Sequence, residues 1–539
     1  MKPKKAPATS SDKKKWAVIL VILFIFVIIG SFFLLIHHAE KRAELAIIER
    51  LNSELSDGSE IIIEHFNLSL FPLGITAKNI ELHHHISFEE REPRKQLDLL
   101  RSLKIQEFSL KKFRLWRYIK EKHVELDNVI IHGAETEVVL GLEIESSGSE
   151  AEESMPPIFI SEFQLIESDL FIFQTPVGER TNLKLGNYSV YLTDIEFSDH
   201  NFKENPKFEG FDLQVQKLDY FFQNGQYELQ ADSMHINSFD SQLQFKNAHL
   251  KPLMSATELA DKIGHQLDRF DIKLSHFLMK EFDLKGWLSD GQINASNIEL
   301  TEPTVYIDRD KSYPRRERNE DRILPAIQFK QLDIPVQIDT IHAINGSLKY
   351  HEIFSEDGRE GFVQFDDIDL KVSPFQNTSQ EDSLFVRAEA QFMDSAQLNL
   401  NIDFSLGSDG AHIVSGTLGT MDLSSLNEPL DELILMRIGS GQLDQLNFWF
   451  YADNNASAGN VIMIYRNLEV RYFDDEETRE RRRDRFRSFI ANTFVIRSNN
   501  TSDNPRTGEI QYNRDPERSM FSYWLRSLAT GLEETVKRL

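Results

Sequence analysis

The sequence predicts a mainly β protein: an N-terminal transmembrane helix, an elongated, curved and repetitive β-sheet with a few short helices, and a C-terminal amphipathic helix. Three observations predict it. Residues 16–36, "WAVILVILFIFVIIGSFFLLI", run for 21 positions without a charge. From about Ile61 to Val470, apolar and polar residues alternate with the period that sends neighbouring strand side chains to opposite faces. Blocks of that alternation also recur along the chain and align without gaps.

The bulk composition sets the frame for these elements. With 539 residues, 40% hydrophobic and 11% aromatic, the chain has material for a substantial core. A net charge of −26 argues against nucleic acid or anionic headgroups as partners of the whole surface. There is no cysteine, so neither a disulfide framework nor a thiolate metal site is available.

Residues 16–36 are long enough to cross about 30 Å of hydrocarbon as a helix. Lys13, Lys14 and Lys15 precede them, with Lys2, Lys4 and Lys5 further out, which keeps residues 1–15 in the cytoplasm as a short tail. A cleaved signal peptide would have a shorter apolar run and a small-residue cleavage site, whereas His37-His38-Ala39-Glu40 follows here. The expected anchor is therefore uncleaved, and nearly everything after Ile36 lies outside the cytoplasm. Six Lys and one Asp fall within residues 1–36, so the remainder carries 54 basic against 85 acidic residues, a charge of about −31.

Residues 37–58 read as a helical stalk, with Leu45, Ile48, Leu51 and Leu55 on one stripe and Gly58 as a stop. Residues 59–470 form the repetitive β-rich body. The best helical interruption in it is 256–270, with Leu259, Ile263, Leu267 and Phe270 on one face. The segments 145–157 and 308–322 are polar and rich in breakers, and are expected as solvated loops.

Residues 471–539 hold a densely charged segment, 474–489, whose arginines are read as a solvated helix or lid or as a contact for anionic headgroups. A C-terminal helix follows, with Phe521, Trp524, Leu525, Leu528, Leu532 and Val536 on one face. Its polar face sets Arg526, Lys537 and Arg538 against Glu533 and Glu534, too balanced for strong electrostatic attachment to a membrane. It is expected to cap the sheet, closing its last edge or the mouth of a groove.

The repeated blocks are 124–139, 158–173, 293–308 and 336–351, with 75–90 joining more loosely. The last reads as a hairpin turning at Asn345-Gly346. Apolar phase slips by one residue at Asp127-Asn128, Ser161-Glu162, Ser296-Asn297 and Asp339-Thr340, as a β-bulge would allow. Residues 108–124 and 277–293 extend the match upstream and point to a duplicated supersecondary unit. The expected inward, apolar set comprises Ile298, Leu300, Val305, Ile307, Ile341, Ala343, Leu348 and Tyr350, with His342 and Lys349 on the other face. A solenoid or sandwich would bury this face in itself; a trough-shaped sheet would turn it toward a long cavity.

Catalytic chemistry is not indicated. No nucleophile elbow, phosphate-cradling glycine loop or zinc-protease pattern is present. His83-His84-His85 is the most metal-like stretch, but consecutive strand side chains point in opposite directions and do not converge on one ion. Asp453-Asn454-Asn455 and Asp290-Gly291 fall where hairpins need turns. No enzyme activity, cofactor or metal is expected.

The anchor followed by "LSLFPLGITAKNIEL" (68–82) resembles the AsmA-like family of bacterial envelope proteins, including relatives long labelled only as a domain of unknown function. The more specific resemblance is C-terminal. It lies in "SGTLGTMDLSSLNEPL" (415–430), "IGSGQLDQLNFWF" (438–450), "AGNVIMIYRNLEV" (458–470), "FIANTFVIRSNN" (489–500) and "GEIQYNRDPERSMFSYWLRSLATGL" (508–532). The resemblance implies a single-pass inner-membrane anchor with the bulk of the chain in the periplasm. It also implies a taco-like sheet whose groove holds phospholipid or other acyl lipid, and a role in lipid transport or outer-membrane lipid homeostasis. The implied partners are lipid, the inner membrane and the outer membrane's inner leaflet or an envelope protein, with no nucleic acid. About 25 strands at about 4.8 Å give a body near 120 Å, shorter than the large bridging members of such families. The alternative expectation is a scaffold or assembly factor for outer-membrane proteins, with a filled, dry core.

Overall fold

A computed structural model describes residues 41–42, 44–53, 59–70, 73–84, 100–140, 157–174, 182–197, 207–222, 225–316, 322–354, 360–378, 383–406, 409–427, 436–472 and 496–537. Strands make up 65% of the structure, and the 23 strands belong to one long mixed sheet with few helices, as the alternation predicts. The chain divides into two compact units, Met1–Val215 and Gln216–Leu539. Among the described residues no helix is long and apolar enough to cross a membrane. The expected anchor, 16–36, and the charged segment, 474–489, lie outside the described residues.

In the first unit, helix α1 (residues 44–53) leads into β1 (Ser59–Leu70), β2 (Leu73–His84) and β3 (Leu100–Phe113). Ile48 and Leu51 of α1 pack against Ile61, Ile63 and Ile80, and the Ile61 amide donates to Asn52 Oδ1 at 2.7 Å. The short helix α2 (Leu115–Glu121) precedes β4 (Val124–Leu140), β5 (Ile158–Gln174) and β6 (Leu183–Phe197). Strands β1 to β4 pair antiparallel in sequence order, β4 and β5 pair parallel, and β5 and β6 are antiparallel again. Strand β7 (Gly210–Phe221) straddles the division between the units.

The second unit opens with β8 (Tyr227–Ala231), β9 (Ser233–Asn237) and β10 (Gln242–Pro252), then α3 (Ala256–Ile263) and β11 (Arg269–Lys280). Ser255 and Glu258 close a capping box at the start of α3, and Gly264 ends it at φ +85. The helix expected over 256–270 thus stops at Ile263. Phe270 belongs to β11, because a left-handed glycine cannot carry the helix on.

Helix α4 (Leu284–Asp290) precedes β12 (Ile293–Thr301) and β13 (Thr304–Asp310). After α5 (Pro325–Lys330) come β14 (Val336–Ile353), β15 (Glu360–Ser373), β16 (Phe375–Gln376), β17 (Ser383–Phe392), β18 (Ala396–Ser405) and β19 (His412–Leu418). The chain closes with β20 (Met421–Asp422), a 3-10 turn (Leu423–Leu426), β21 (Met436–Ala452), β22 (Ala456–Tyr472), β23 (Thr507–Asn513) and helix α6 (Met520–Val536).

The duplication expected from the sequence is visible element by element. The series β3-α2-β4-β5-β6 recurs as β11-α4-β12/β13-β14-β15: β5 is parallel to β4 as β14 is to β12 and β13, and the strand that follows is antiparallel in both copies. Helices α2 and α4 both end on a left-handed residue, Lys122 (φ +58) and Gly291 (φ +68).

Two expectations are corrected here. Residues 336–352 do not turn at Asn345-Gly346: they form the single strand β14, with Asn345 at φ +54 inside a register shift against β15. The tenth residue of all four repeats shares this left-handed geometry: Gly133 (+62), Glu167 (+49), Glu302 (+51) and Asn345. The main bulge therefore lies five residues beyond the phase slips, which are themselves present: Leu126 and Val129 are both buried, as are Ala295 and Ile298.

The second correction concerns 308–322. Parallel neighbours require a crossover connection, and this segment begins the one between β13 and β14. Its described residues, 308–316 and 322, are held by contacts at several points. Asp308 and Asp310 are buried within β13, Gln266 Nε2 donates to the Tyr313 carbonyl, and Leu324, just before α5, is 1% exposed.

Candidate functional site

The repeated apolar positions meet across the strands rather than only along them. In the second unit one row of paired residues runs Ile236, Leu243, Met279, Ile298, Ile341, Val372, Val386, Ile402, Val414, Phe450, Gly459 and Ile510. The next runs Met234, Phe245, Phe277, Leu300, Ala343, Leu370, Ala388, Leu400, Gly416, Phe448, Val461 and Gly508. A third joins Leu250, Ile272, Val305, Leu348, Phe365 and Phe392, and a fourth Phe270, Ile307, Tyr350 and Val363. All eight residues singled out from the sequence stand in these four rows. His342 faces Asp369 at 3.1 Å, and the Lys349 ammonium lies 4.1 Å from the Phe362 ring.

The first unit repeats the arrangement on its own strands. Phe66, Ala77, Phe108, Ile131, Leu165 and Val190 form one row, and Leu68, Ile75, Leu110, Val129, Phe163 and Leu192 the next. Period-two alternation places each of these side chains on one face, and parallel pairing of sequence repeats brings like positions together.

Burial along the rows of the second unit is not uniform. Leu300, Val305, Ile307, Ile341, Leu348 and Tyr350 are half-buried, while Ile298 and Ala343 are buried. Further along the same rows Val414, Phe450, Val461 and Ile510 are exposed by 2% or less. The difference has a visible cause: Tyr523, Trp524, Leu528 and Leu532 of α6 pack on those residues. Ala326 and Phe329 of α5 pack near Val372, Val386 and Phe404 in the same way.

Helix α6 docks as the sequence suggests, with Trp524, Leu528, Leu532 and Val536 of the expected face on the core, but its buried stripe is shifted so that Phe521 and Leu525 fall outside it. Tyr523, Ser527, Gly531 and Thr535 are buried, with Trp524, Leu528 and Leu532 half-buried beside them, whereas Phe521 and Leu525 are each 45% exposed. The small residues decide this, because they let the helix backbone approach β23 at Gly508 and Gly531. The helix also satisfies the outer edge of β23: the Glu509 amide donates to Glu534 Oε2 at 2.8 Å and the Gln511 amide to Thr530 Oγ1 at 3.3 Å. The Trp524 indole donates to His412 Nε2 at 2.8 Å, and His412 Nδ1–H donates to the Gly410 carbonyl at 2.8 Å. This fixes the imidazole as the neutral tautomer, and its burial lowers its pKa.

The apolar rows end at a rung of charge that sequence reading missed. Arg309 donates to both oxygens of Asp268 at 2.7 and 2.5 Å, Lys311 pairs with Glu352, and the Tyr350 hydroxyl donates to Glu352 Oε1 at 2.7 Å. Burial, with Glu352 beside it, pushes the Tyr350 phenol well above its ordinary value, and burial lowers the Lys311 ammonium. The signal was present in the alternation, since Arg309 and Glu352 lie two residues beyond Ile307 and Tyr350. Asp268 is 41 residues from Arg309 and gave no such cue.

The histidine run is engaged locally. His83 Nε2 lies 3.2 Å from Glu81, and His84 contacts Ser59 Oγ at 2.9 Å and the Arg101 carbonyl at 3.1 Å; His85 lies outside the described residues. No family model matches the chain, and no curated protein matches it.

Proposed function

We propose that this is a membrane-anchored envelope protein whose apolar β-face holds lipid acyl chains, contributing to phospholipid transport or lipid homeostasis of the outer membrane. One observation carries the reading: unbroken apolar rows cross many strands, and over β12 to β14 Leu300, Val305, Ile307, Ile341, Leu348 and Tyr350 stay half-buried, whereas the same rows under α6 are fully buried. An acyl chain needs just such a surface, apolar, continuous and open to a ligand. The rung at Asp268, Arg309, Lys311 and Glu352 bounds that surface with fixed charge.

The test is photo-crosslinking of the full chain in native membranes. A crosslinker at Ile341 or Leu348 is expected to capture lipid, and one at Lys349 is not. Equal capture from both faces would mean surface adsorption and would overturn the reading. A scaffold with a dry core is the second reading, favoured by the fully buried rows under α6. Under it, purified chain carries no lipid detectable by mass spectrometry, and Leu348→Asp unfolds the protein instead of leaving a folded chain that no longer holds lipid.

A further inference from the structure

The duplicated helices α2 and α4 occupy equivalent places, yet their surfaces differ in a way the shared fold does not require. Both expose an aromatic-aliphatic pair at matching positions: Tyr118 and Ile119 on α2, Trp287 and Leu288 on α4. Helix α2 adds Trp116, 76% exposed, and Ile119 there is 57% exposed. Residues 111–127 carry six Lys and Arg against three carboxylates, whereas the matching residues 280–296 carry two against three. A net charge of +3 on this segment stands out in a chain of −26.

The geometry points to α2 and its flanks as a surface that binds an anionic lipid bilayer. Trp116, Ile119 and Lys120 share one side of the helix by their spacing. Arg114 and Arg117 are drawn back onto Glu125 and Asp127 of β4, at 3.0 Å for Arg114–Asp127 and 2.9 Å for Arg117–Glu125. Those ion pairs fix the helix on its strand while Trp116 and Ile119 project from it. An exposed indole next to an aliphatic side chain suits the headgroup boundary, where Trp is favoured, and the lysines nearby meet the negative surface potential. Nucleic acid supplies the negative charge but no depth for Ile119. The inference does not rest on lipid occupying the apolar face of the sheet.

The chain has no cysteine, so Ile119→Cys accepts a nitroxide label at a single site. The full chain is reconstituted in vesicles of phosphatidylcholine alone or mixed with phosphatidylglycerol, and accessibility to a water-soluble relaxant and to oxygen is read by electron paramagnetic resonance. In anionic vesicles the label is expected to be shielded from the aqueous relaxant and reached by oxygen. Lys120→Glu or added salt should reverse this, since one lysine near an anionic surface changes partitioning by about fivefold. A label at Leu288→Cys on α4 should stay exposed to water in both vesicles. Equal water exposure at residue 119 in both lipids would overturn the proposal, and shielding independent of lipid and salt would assign the surface to a protein contact instead. Adding Ile341→Asp should leave the residue-119 signal unchanged, which separates failure of this surface from failure of the lipid-holding face.

Discussion

Replacing Gly508 by Ala tests how α6 is held on the sheet. A Cβ at Gly508 would fall 1.8 Å from the Gly531 carbonyl oxygen, 2.7 Å from its carbon and 3.1 Å from Thr535 Cγ2. The obstruction is backbone, so no rotamer change relieves it, and α6 must back away by roughly 1.5 Å to restore ordinary contact. Overpacking of this kind costs about 1–3 kcal/mol. The displacement also stretches the bonds from Glu509 to Glu534 and from Gln511 to Thr530, and the 2.7 Å contact between the Ser457 and Ser527 hydroxyls. At about 0.5–1.5 kcal/mol each, these bring the total to about 2.5–7.5 kcal/mol. In a unit this large that corresponds to a melting temperature lower by about 5–10 °C. The freed edge of β23 should also raise light scattering on storage. Gly419→Ala is the control, because its nearest neighbour would be 3.5 Å away and its backbone is not left-handed. If Gly508→Ala melts with the wild type and resists protease equally at α6, the close helix–strand approach does not hold the cap.

Three further perturbations address the bulge, the buried imidazole and the charged rung. Asn345→Val should destabilise by about 1–2 kcal/mol, since a β-branched residue resists φ +54, while Asn345→Gly should be nearly neutral by chemical denaturation. His412 is held neutral in the folded state with its pKa below the ordinary value, so the folded state resists protonation. Docking of α6 should therefore be complete above about pH 6.5 and weaken as pH falls below it, because the protonated ring cannot accept from Trp524. Asp453 opposes this shift and Arg514 reinforces it. Hydrogen exchange of α6 between pH 7.5 and 5 should reveal it, and in His412→Leu that dependence should vanish. Arg309→Met leaves Asp268 without its bidentate partner and should cost about 2–3 kcal/mol, less than at a fully buried pair because both side chains are partly solvated. An unchanged denaturation midpoint would show the rung to be energetically idle.

The candidate site was legible residue by residue but not in its boundaries. Ile298, Leu300, Ile341 and Ala343 were recognised because alternation marks one face of a strand, and aligned repeats mark which residues will stand side by side. What lies over that face was not legible. The stretch under α6 and the half-buried stretch around Leu348 have the same local pattern, and only contact with a helix far along the chain separates them. The edge of the docked stripe of α6 is illegible for a related reason: Trp524, Leu528 and Leu532 do pack on the core, but Phe521 and Leu525 do not. Periodicity ranks Phe521 and Leu525 as inward by hydrophobicity, but Ser527, Gly531 and Thr535 win the interface because small side chains permit close approach.

The sequence by itself determined the mainly β body, which residues of a strand share a face, the duplication of 108–124 in 277–293 and the existence of a C-terminal helix that docks. These follow from short-range periodicity, which a single strand or helix expresses whatever its neighbours. The tertiary structure decided how strands pair. Asn345-Gly346 satisfies a hairpin turn and a bulge equally well, since both use a left-handed residue. Residues 336–353 run straight on as β14 because the chain had already laid down β12 and β13 end to end, offering a parallel partner along its whole length. Pro303, between those two strands, then packs against Gly346, where a Cβ would sit 3.0 Å from the proline ring and 3.3 Å from Ile368. Local sequence sets which conformations a residue tolerates, and the partner strand selects among them.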